Sequence, residues 1–253
     1  MKKIVLALFI SLLTLFSLHA QTKKVLSGIN SVETKETIEF SYNNKNQLVY
    51  FSEKGRVAFR EFSLKYDKTT NRLIECKMDQ DRGEVVHQIK YTYNDGFITE
   101  DITKSGRQYR QKESEQNKIS VDENGRLTYT TFDDGNLWEE FIYDANNNLI
   151  HYTIYSALGD PDYKYDSQYN DDISAFTGIN DMPLWFWGVY LNQMKWCRDF
   201  IGKNNPANIM MNDPRFGEDE VTVTYEYDAD GYPEKQYYNG ELVKEFTYKV
   251  VKK

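Results

Sequence analysis

One short motif recurs along the chain: a tyrosine, an Asp or Asn, a polar turn and then an aliphatic residue. Its clearest copy is YDANNNLI at residues 143–150. Successive copies start 21 to 28 residues apart, except for an interval of 62 residues. A regular period of this length indicates repeated supersecondary units whose neighbours complete one another's core. The copies start at Tyr42, Tyr66, Tyr93, Tyr143, Tyr165, Tyr227 and Tyr248, and at Val121, which stands in the place of the tyrosine.

Each unit is predicted to be a β-hairpin. Apolar and polar residues alternate along 221–227, which is the two-residue period of a strand with one buried face. Between such segments lie residues that tolerate a positive φ and favour tight turns, such as Asn94-Asp95-Gly96 and Asp230-Gly231. About seven hairpins predict on the order of fourteen strands, more than the ten or so at which twisted open sheets curl or split.

The 62-residue interval holds a different segment, LWFWGVYLNQMKWCRDFIG, between Pro183 and Lys203. Pro183 is typical of a helix start and Gly202 of a helix end, so we predict a helix over about 184–201. The predicted helix is apolar nearly all round, which indicates burial, and its charged residues argue against a membrane crossing. Its tryptophans serve either as a ligand platform or as core, and core is the favoured interpretation.

These elements predict an all-β fold. We expect an antiparallel hairpin meander curled into a barrel or half-barrel, with the helix packed against it or inside it. Curling would also remove the open edges that promote aggregation. A long, flat, single-layer sheet is the alternative.

The first twenty residues are typical of a secretory signal peptide. Lys2 and Lys3 precede an apolar run over 4–18, and Ala20 supplies a small residue at the cleavage point. We therefore expect a signal peptide over 1–20 and a single domain over 21–253, with a helical insertion near 180–205. A retained anchor is the alternative. The exported chain would be soluble, periplasmic or extracellular, and would not span the membrane.

Charge and cysteine content limit the partners. Removal of Lys2 and Lys3 with the leader takes the net charge from −8 to −10, which disfavours nucleic acid as a partner. Cys76 and Cys197 form either a disulfide or two buried thiols. The twenty tyrosines suit strands and contact with carbohydrate.

The sequence identifies no catalytic, metal or cofactor site, and its ligand-binding residues stay unassigned. After leader removal the histidines are His87 and His151, and neither lies in a recognisable catalytic arrangement. Paired carboxylates can hydrolyse glycosides, and acids cluster at Asp160, Asp162, Asp166, Asp171 and Asp172. Solvated turns are the alternative explanation of these acids.

Two short segments resemble part of a calcium-binding loop. Asp228, Asp230 and Gly231 place alternating oxygen ligands before a glycine, as do Asp79, Asp81 and Gly83. Both segments lack the acidic residue that closes an EF-hand loop. Hairpin turns require the same residues, so we interpret both segments as turns.

The motif copies resemble two known protein families. DENGRL at 122–127 and YDADGY at 227–232 resemble the YD repeats of Rhs and toxin-shell proteins. The leader, the hairpins, the tryptophan-rich insertion and the closing YEYDADGYPEKQYYNGELVKEFTYK together resemble a family of secreted proteins from Gram-negative gut anaerobes, a domain of unknown function with a porin-like fold. The second resemblance implies a barrel-like sheet and no catalytic residues.

A porin-like fold does not require a pore. The polar strand faces carry many charges and the mean hydropathy is −0.70, so we expect the apolar faces to point inward. The sequence therefore favours an exported, non-enzymatic binding or structural module of the cell envelope, whose ligand is a glycan, a lipid or an envelope protein. The alternative is a carbohydrate-active hydrolase that uses acids of the 160–172 segment.

Overall fold

The computed structural model describes residues 22–56, 58–179, 182–191 and 194–252, so the predicted signal peptide lies outside the described residues. The described chain forms one antiparallel sheet and a short helical segment. Its sixteen strands are β1 Thr22–Ser31, β2 Glu36–Tyr42, β3 Leu48–Lys54, β4 Phe59–Tyr66, β5 Leu73–Gln80, β6 Val85–Tyr93, β7 Phe97–Ser105, β8 Glu113–Val121, β9 Leu127–Thr131, β10 Leu137–Tyr143, β11 Leu149–Tyr155, β12 Pro161–Ile173, β13 Asn204–Asp213, β14 Gly217–Tyr227, β15 Pro233–Tyr238 and β16 Glu241–Lys252.

The sheet closes into a barrel. Each strand pairs with its neighbours in the sequence, and β1 pairs with β16, placing Leu26 opposite Tyr248 and Ser31 opposite Lys244. Closure pairs both edges of the described sheet. The predicted antiparallel meander is confirmed, and the flat-sheet alternative is wrong. The described chain has sixteen strands rather than about fourteen, because each of the eight motif copies lies on an even-numbered strand and eight odd-numbered strands alternate with these.

The apolar faces point into the barrel, as predicted. On β14, Val221 and Val223 are buried while Thr222 and Thr224 are exposed. On β2, Ile38 and Phe40 are buried on either side of the exposed Glu39. The two-residue period therefore assigned the inner face correctly.

The acid or amide after each tyrosine stabilises the turn that follows. Asp144 Oδ1 accepts the backbone N–H groups of Asn146 and Asn148 at 2.8 and 2.9 Å, and Asn147 has a φ of +65°. The same side-chain cap recurs in the turns that begin at Asn43, Asp67, Asp122 and Asp228. These turns lie at one end of the barrel, which we call the motif end.

The tyrosines of the motif form a series of hydrogen bonds that we call the tyrosine ladder. The Tyr66 hydroxyl donates to the Leu48 carbonyl at 2.7 Å, and the Tyr93 hydroxyl donates to the Leu73 carbonyl at 2.9 Å. In both bonds the acceptor is the backbone carbonyl of the aliphatic residue that ends the preceding motif copy. The tyrosine of one hairpin is therefore bonded to the end of the motif in the hairpin before it. The same bond joins Tyr169 to Leu149, and equivalent tyrosine-to-carbonyl bonds join Tyr248 to Pro233 and Tyr42 to Leu26 of β1, which precedes the first copy.

The ladder corrects one motif assignment. Tyr169, not Tyr165, donates to the Leu149 carbonyl. Tyr165 lies in the middle of β12, fully buried, with the guanidinium of Arg198 4.5 Å from its ring centroid. The sequence pattern selected Tyr165 because an Asp follows it, but β12 continues to Ile173 before the chain leaves the sheet.

Between β12 and β13 lie helix α1, Leu184–Tyr190, and two 3-10 helices, Ala175–Ile179 and Lys195–Phe200. We call the described residues of 174–203 the plug. The expected continuous helix over 184–201 is wrong in extent. Ile173 pairs with Asn204, so the insertion leaves and re-enters the sheet at the motif end. A straight helix of that length, roughly 27 Å, would carry the chain to the far end instead.

The plug fills the barrel with aromatic rings. Trp185, Trp187 and Trp196 are 1%, 3% and 4% exposed, which confirms that they are core. Trp187 lies 5.4 Å from the ring of Phe51 on the wall. Tyr190 meets Phe62 edge-on at 5.6 Å. Ring pairs with these geometries stabilise the core beyond simple burial, so the plug is fixed to the wall.

Candidate functional site: a cavity where the tyrosine ladder is interrupted

A cavity lies at the motif end, between the barrel rim and the start of α1. Its volume is about 730 Å³. Three consecutive motif turns form one side of it, and the first residues of α1 form the other. The lining residues are 71–73, 93–96, 98, 121–125 and 182–185.

The cavity lies where the tyrosine ladder is interrupted. Val121 stands at the tyrosine position of the fourth motif copy and lines the cavity. The isopropyl side chain of Val121 is smaller than the phenol ring of a tyrosine and has no hydroxyl to donate a hydrogen bond. In the next copy, the buried Tyr143 hydroxyl meets no hydrogen-bond partner among the described residues. The ladder therefore has no bond at two consecutive copies, beside the cavity.

The deep wall of the cavity is apolar and aromatic. Leu73, Ile98 and Trp185 are nearly fully buried and close its floor. The Trp185 ring centroid lies 6.3 Å from that of Tyr93, and the Arg72 guanidinium lies 4.9 Å from the Tyr93 centroid on the rim. Burial raises the pKa of Tyr93 to about 12, so its hydroxyl stays protonated as a ladder donor at neutral pH.

The rim of the cavity is polar. Exposed side chains at the turn tips are those of Asn71, Asn94, Asp95, Glu123 and Asn124. Beside them, Arg126 and Asp122 form an ion pair, with 2.6 Å between Arg126 Nη2 and Asp122 Oδ2. Burial tends to raise the pKa of Asp122, but hydrogen bonds from the backbone and side chain of Arg126 outweigh it and lower the pKa. The arrangement is an apolar slot with a hydrogen-bonding rim, which suits binding of a small molecule.

A buried carboxyl group lies near the cavity floor. Glu100 is two residues from Ile98 on the same face of β7 and is 4% exposed. Burial raises its pKa to about 7. The Tyr91 and Tyr190 rings flank the same region of the core, and burial raises their pKa values as well. This cluster lies behind the cavity floor, and the raised pKa of Glu100 predicts that stability depends on pH.

The acids proposed from the sequence for glycoside hydrolysis are not gathered into a cleft. Asp160 and Asp172 lie near opposite ends of β12, roughly 40 Å apart at the usual rise of a strand. Asp162 and Asp166 alternate with the inward-facing Tyr163 and Tyr165 and so lie on the outer face. Asp171 and Asp172 are exposed near the motif end.

The two histidines lie on different faces of the barrel. His87 faces inward on β6, and its Nε2 lies 3.4 Å from the Tyr109 hydroxyl. Burial lowers the pKa of His87, and the positive charge of Lys104 lowers it further. His151 lies on the outer face of β11, half exposed, and its Nδ1 contacts the Asp166 carboxylate. Both are strand residues, as interpreted from the sequence.

The predicted turns at the two calcium-like segments are present. Lys24 places its Nζ 2.6 Å from Asp228 and 2.5 Å from Asp230, so a lysine occupies the centre of that acidic turn. In the other segment, Asp79 Oδ1 accepts the N–H of Gly83 at 2.7 Å. In that same segment, Asp81 Oδ1 accepts the N–H of Phe59.

Both cysteines are buried thiols that no disulfide joins, Cys76 on β5 and Cys197 in the second 3-10 helix. Of the two alternatives, the pair of buried thiols is therefore the one observed. Burial raises the pKa of the Cys76 thiol, and the negative charge of Glu100 raises it further.

Sequence reasoning did not identify the cavity, although it contained the signal. Val121 was recognised as a copy of the motif without its tyrosine, but the ladder that this tyrosine joins was not predicted. Without the ladder, a missing ring at Val121 could not be connected with a missing part of the wall.

Comparisons with known proteins give structural likenesses alone. A porin-like protein from Bacteroides vulgatus is 12% identical, with a TM-score of 0.38, and the match covers 89% of this chain and 98% of that chain. A porin-like protein from Bacteroides uniformis is also 12% identical, with a TM-score of 0.37 and coverage of 88% and 98%. No family model matches the chain. No curated protein matches it either. Membership of the secreted family and the likeness to YD repeats stay predictions.

Within the part of the chain that the structure describes, no helix has the length and apolar character needed to cross a membrane.

Proposed function

We propose that this protein is an exported, non-enzymatic binding module of the cell envelope, and that the cavity beside Val121 is its ligand site. The observation that carries the proposal is the coincidence of the cavity with an interruption of the ladder at Val121. A concave apolar slot with a few convergent polar groups is the usual form of a ligand site.

The outer face of the barrel supports a position in water rather than in lipid. Exposed charges on it include Glu39, Lys65, Lys90 and Glu226, which lie on separate strands. A charged side chain on a lipid-facing strand costs roughly 2–4 kcal/mol near the bilayer centre for Lys or Arg. The predicted leader over 1–20 supplies the route of export. We therefore place the protein in the periplasm or outside the cell.

The lining of the cavity supports binding rather than catalysis. The described residues that line it include neither His nor Cys. The Asp122 carboxylate is held by Arg126, while Asp95 and Glu123 are exposed at the rim. No observation on β12 favours the alternative of a hydrolase.

The test is a binding screen with a matched pair of variants. The mature chain from Gln21 is exposed to panels of glycans, lipids and envelope proteins. We expect saturable binding that is lost in Val121→Tyr, which places a phenol ring in the cavity beside its apolar floor, and kept in Val250→Tyr, where the valine is 59% exposed on β16. Binding that Val121→Tyr leaves unchanged would remove the assignment of the site. Turnover of a glycan that is abolished in Asp162→Asn or Asp166→Asn would replace the proposal with a hydrolase.

Export is tested separately. Mass spectrometry of the protein made in a Gram-negative host is expected to show a chain that begins at Gln21. A full-length chain retaining Met1 would contradict the predicted signal peptide.

A further inference from the structure

We infer that the cavity receives an aromatic ring of the phenol type, carried by a small-molecule ligand, in the place that a tyrosine ring takes in the neighbouring repeats. This inference rests on the proposed function and specifies its ligand. The chain itself provides the reference, because the motif copies before and after Val121 carry rings, at Tyr93 and Tyr143.

The backbone at Val121 keeps the geometry of the ring-bearing copies. Asp122 Oδ1 accepts the N–H groups of Asn124 and Arg126, each at 2.9 Å. Gly125 has a φ of +70°, the same left-handed turn conformation that Asn147 has in the next copy. Leu127 is fully buried. The fourth copy thus retains the turn, the cap and the aliphatic end, and differs by the absence of the ring.

The walls of the cavity are suited to an aromatic guest. Tyr93 and Trp185 border the space with ring faces and edges, and aromatic rings prefer edge-to-face and offset contacts with one another. The floor formed by Leu73 and Ile98 is apolar. A planar apolar ring is therefore a better match for this lining than a fully hydroxylated one.

The rim specifies the charge of the ligand. Asp95 and Glu123 are exposed there, and Arg72 is the cation that lines the cavity. Carboxylates on both neighbouring turns disfavour an anionic guest. The amides of Asn71 and Asn124 offer both donors and acceptors to a hydroxyl group. The expected guest is a neutral phenol rather than an aryl carboxylate.

The volume indicates that the ring is part of a larger molecule. A cavity of about 150 Å³ accommodates benzene. The cavity here measures about 730 Å³ and lies at the rim. After a ring has entered the slot, room remains for a polar remainder that extends along the turn tips.

The test uses 4-methylphenol, which is the tyrosine side chain itself, and 4-methylcyclohexanol, which has a similar size and a hydroxyl but no aromatic ring. Titration calorimetry on the mature chain is expected to show saturable binding of 4-methylphenol and at least tenfold weaker binding of 4-methylcyclohexanol. Val121→Tyr is expected to weaken 4-methylphenol binding at least tenfold and to melt no earlier than the wild type. Val250→Tyr should bind as the wild type does.

A measurement on the wild type makes the test independent of any variant. Nuclear Overhauser effects from the ring protons of 4-methylphenol are expected at the Val121 methyl groups. Effects confined to other residues, equal binding of the two probes, or unchanged binding in Val121→Tyr would each overturn the aromatic inference. If a member of the ligand panels still binds in a Val121-dependent manner, the proposed function stands without it. If neither a panel member nor 4-methylphenol binds in a Val121-dependent manner, the proposed function fails as well.

Discussion

Gly202 passes so close to Asn148 that a Cβ on Gly202 would lie 2.5 Å from Asn148 Oδ1 and 2.8 Å from its Cα. The same Oδ1 accepts the N–H groups of Lys203 and Asn204 at 2.9 and 3.0 Å. A motif turn therefore holds the exit of the plug. Gly202 was expected to end a helix, but the structure requires it because no side chain fits against Asn148.

Gly202→Ala is expected to destabilise the protein by about 1–3 kcal/mol, because the added methyl group forces the plug exit away from the turn. Denaturant unfolding followed by tryptophan fluorescence measures the change. Gly55→Ala is the matched control, since its Cβ would come no closer than 3.2 Å, to the flexible side chain of Glu36. Equal effects of the two substitutions would show that close packing at Asn148 is not the cause.

Tyr42→Phe tests the tyrosine ladder. The substitution keeps the ring and removes a 2.6 Å hydrogen bond to the Leu26 carbonyl, and the expected loss is about 1 kcal/mol of unfolding free energy. Tyr129→Phe is the control, because that ring is 44% exposed. If the ladder contributes to stability, Tyr42→Phe should unfold at a lower temperature than Tyr129→Phe. Equal unfolding temperatures of the two variants would contradict this contribution.

Glu100 makes stability depend on pH. Burial raises its pKa from 4.5 to about 7 in the folded state, so unfolding releases a proton between these values. Stability should therefore fall as the pH rises through this window, by roughly 3 kcal/mol. Glu100→Gln should flatten the dependence, as measured by urea unfolding at pH 5 and pH 8. The exposed Glu123→Gln should leave it unchanged, and a flat wild-type profile would contradict the expectation.

The ion pair between Glu53 and Arg60 lies on the inner wall, where the side chains are 7% and 15% exposed and the atoms are 2.8 Å apart. Burial raises the pKa of Glu53 even beside the guanidinium. Arg60→Met leaves a buried acid without this cation and should cost about 3 kcal/mol or more. Lys65→Met breaks the more exposed pair with Glu75 and should cost less than about 1 kcal/mol.

A double variant separates the effect of the unpaired charge from the effect of packing in the same experiment. Glu53→Leu combined with Arg60→Met is expected to be more stable than Arg60→Met alone, because no unpaired acid remains inside. If the double variant is the less stable of the two, the destabilisation comes from packing rather than from the unpaired charge.

The hairpins were predictable because their signals are local. A turn such as Asp144–Asn148 is specified by side chains that hydrogen-bond to the backbone two to four residues away, and the inner face follows from a period of two. The burial of Trp185, Trp187 and Trp196 was also predictable, since an almost wholly apolar segment must leave water.

The cavity could not be predicted from these signals. It depends on the bond between a tyrosine and the preceding aliphatic carbonyl, such as that from Tyr93 to Leu73, which exists only once adjacent strands are in register. The substitution at Val121 has consequences because two other turns and the start of α1 border the same space.

By itself, the sequence determined which residues form strands and turns and which side of each strand is apolar, because those properties depend on neighbours within a few positions. Tertiary structure decided that β1 meets β16, that the insertion folds back on itself, and that a cavity opens beside Val121. Each of these outcomes joins residues that are distant along the chain, and each depends on where the ends of the elements meet in space.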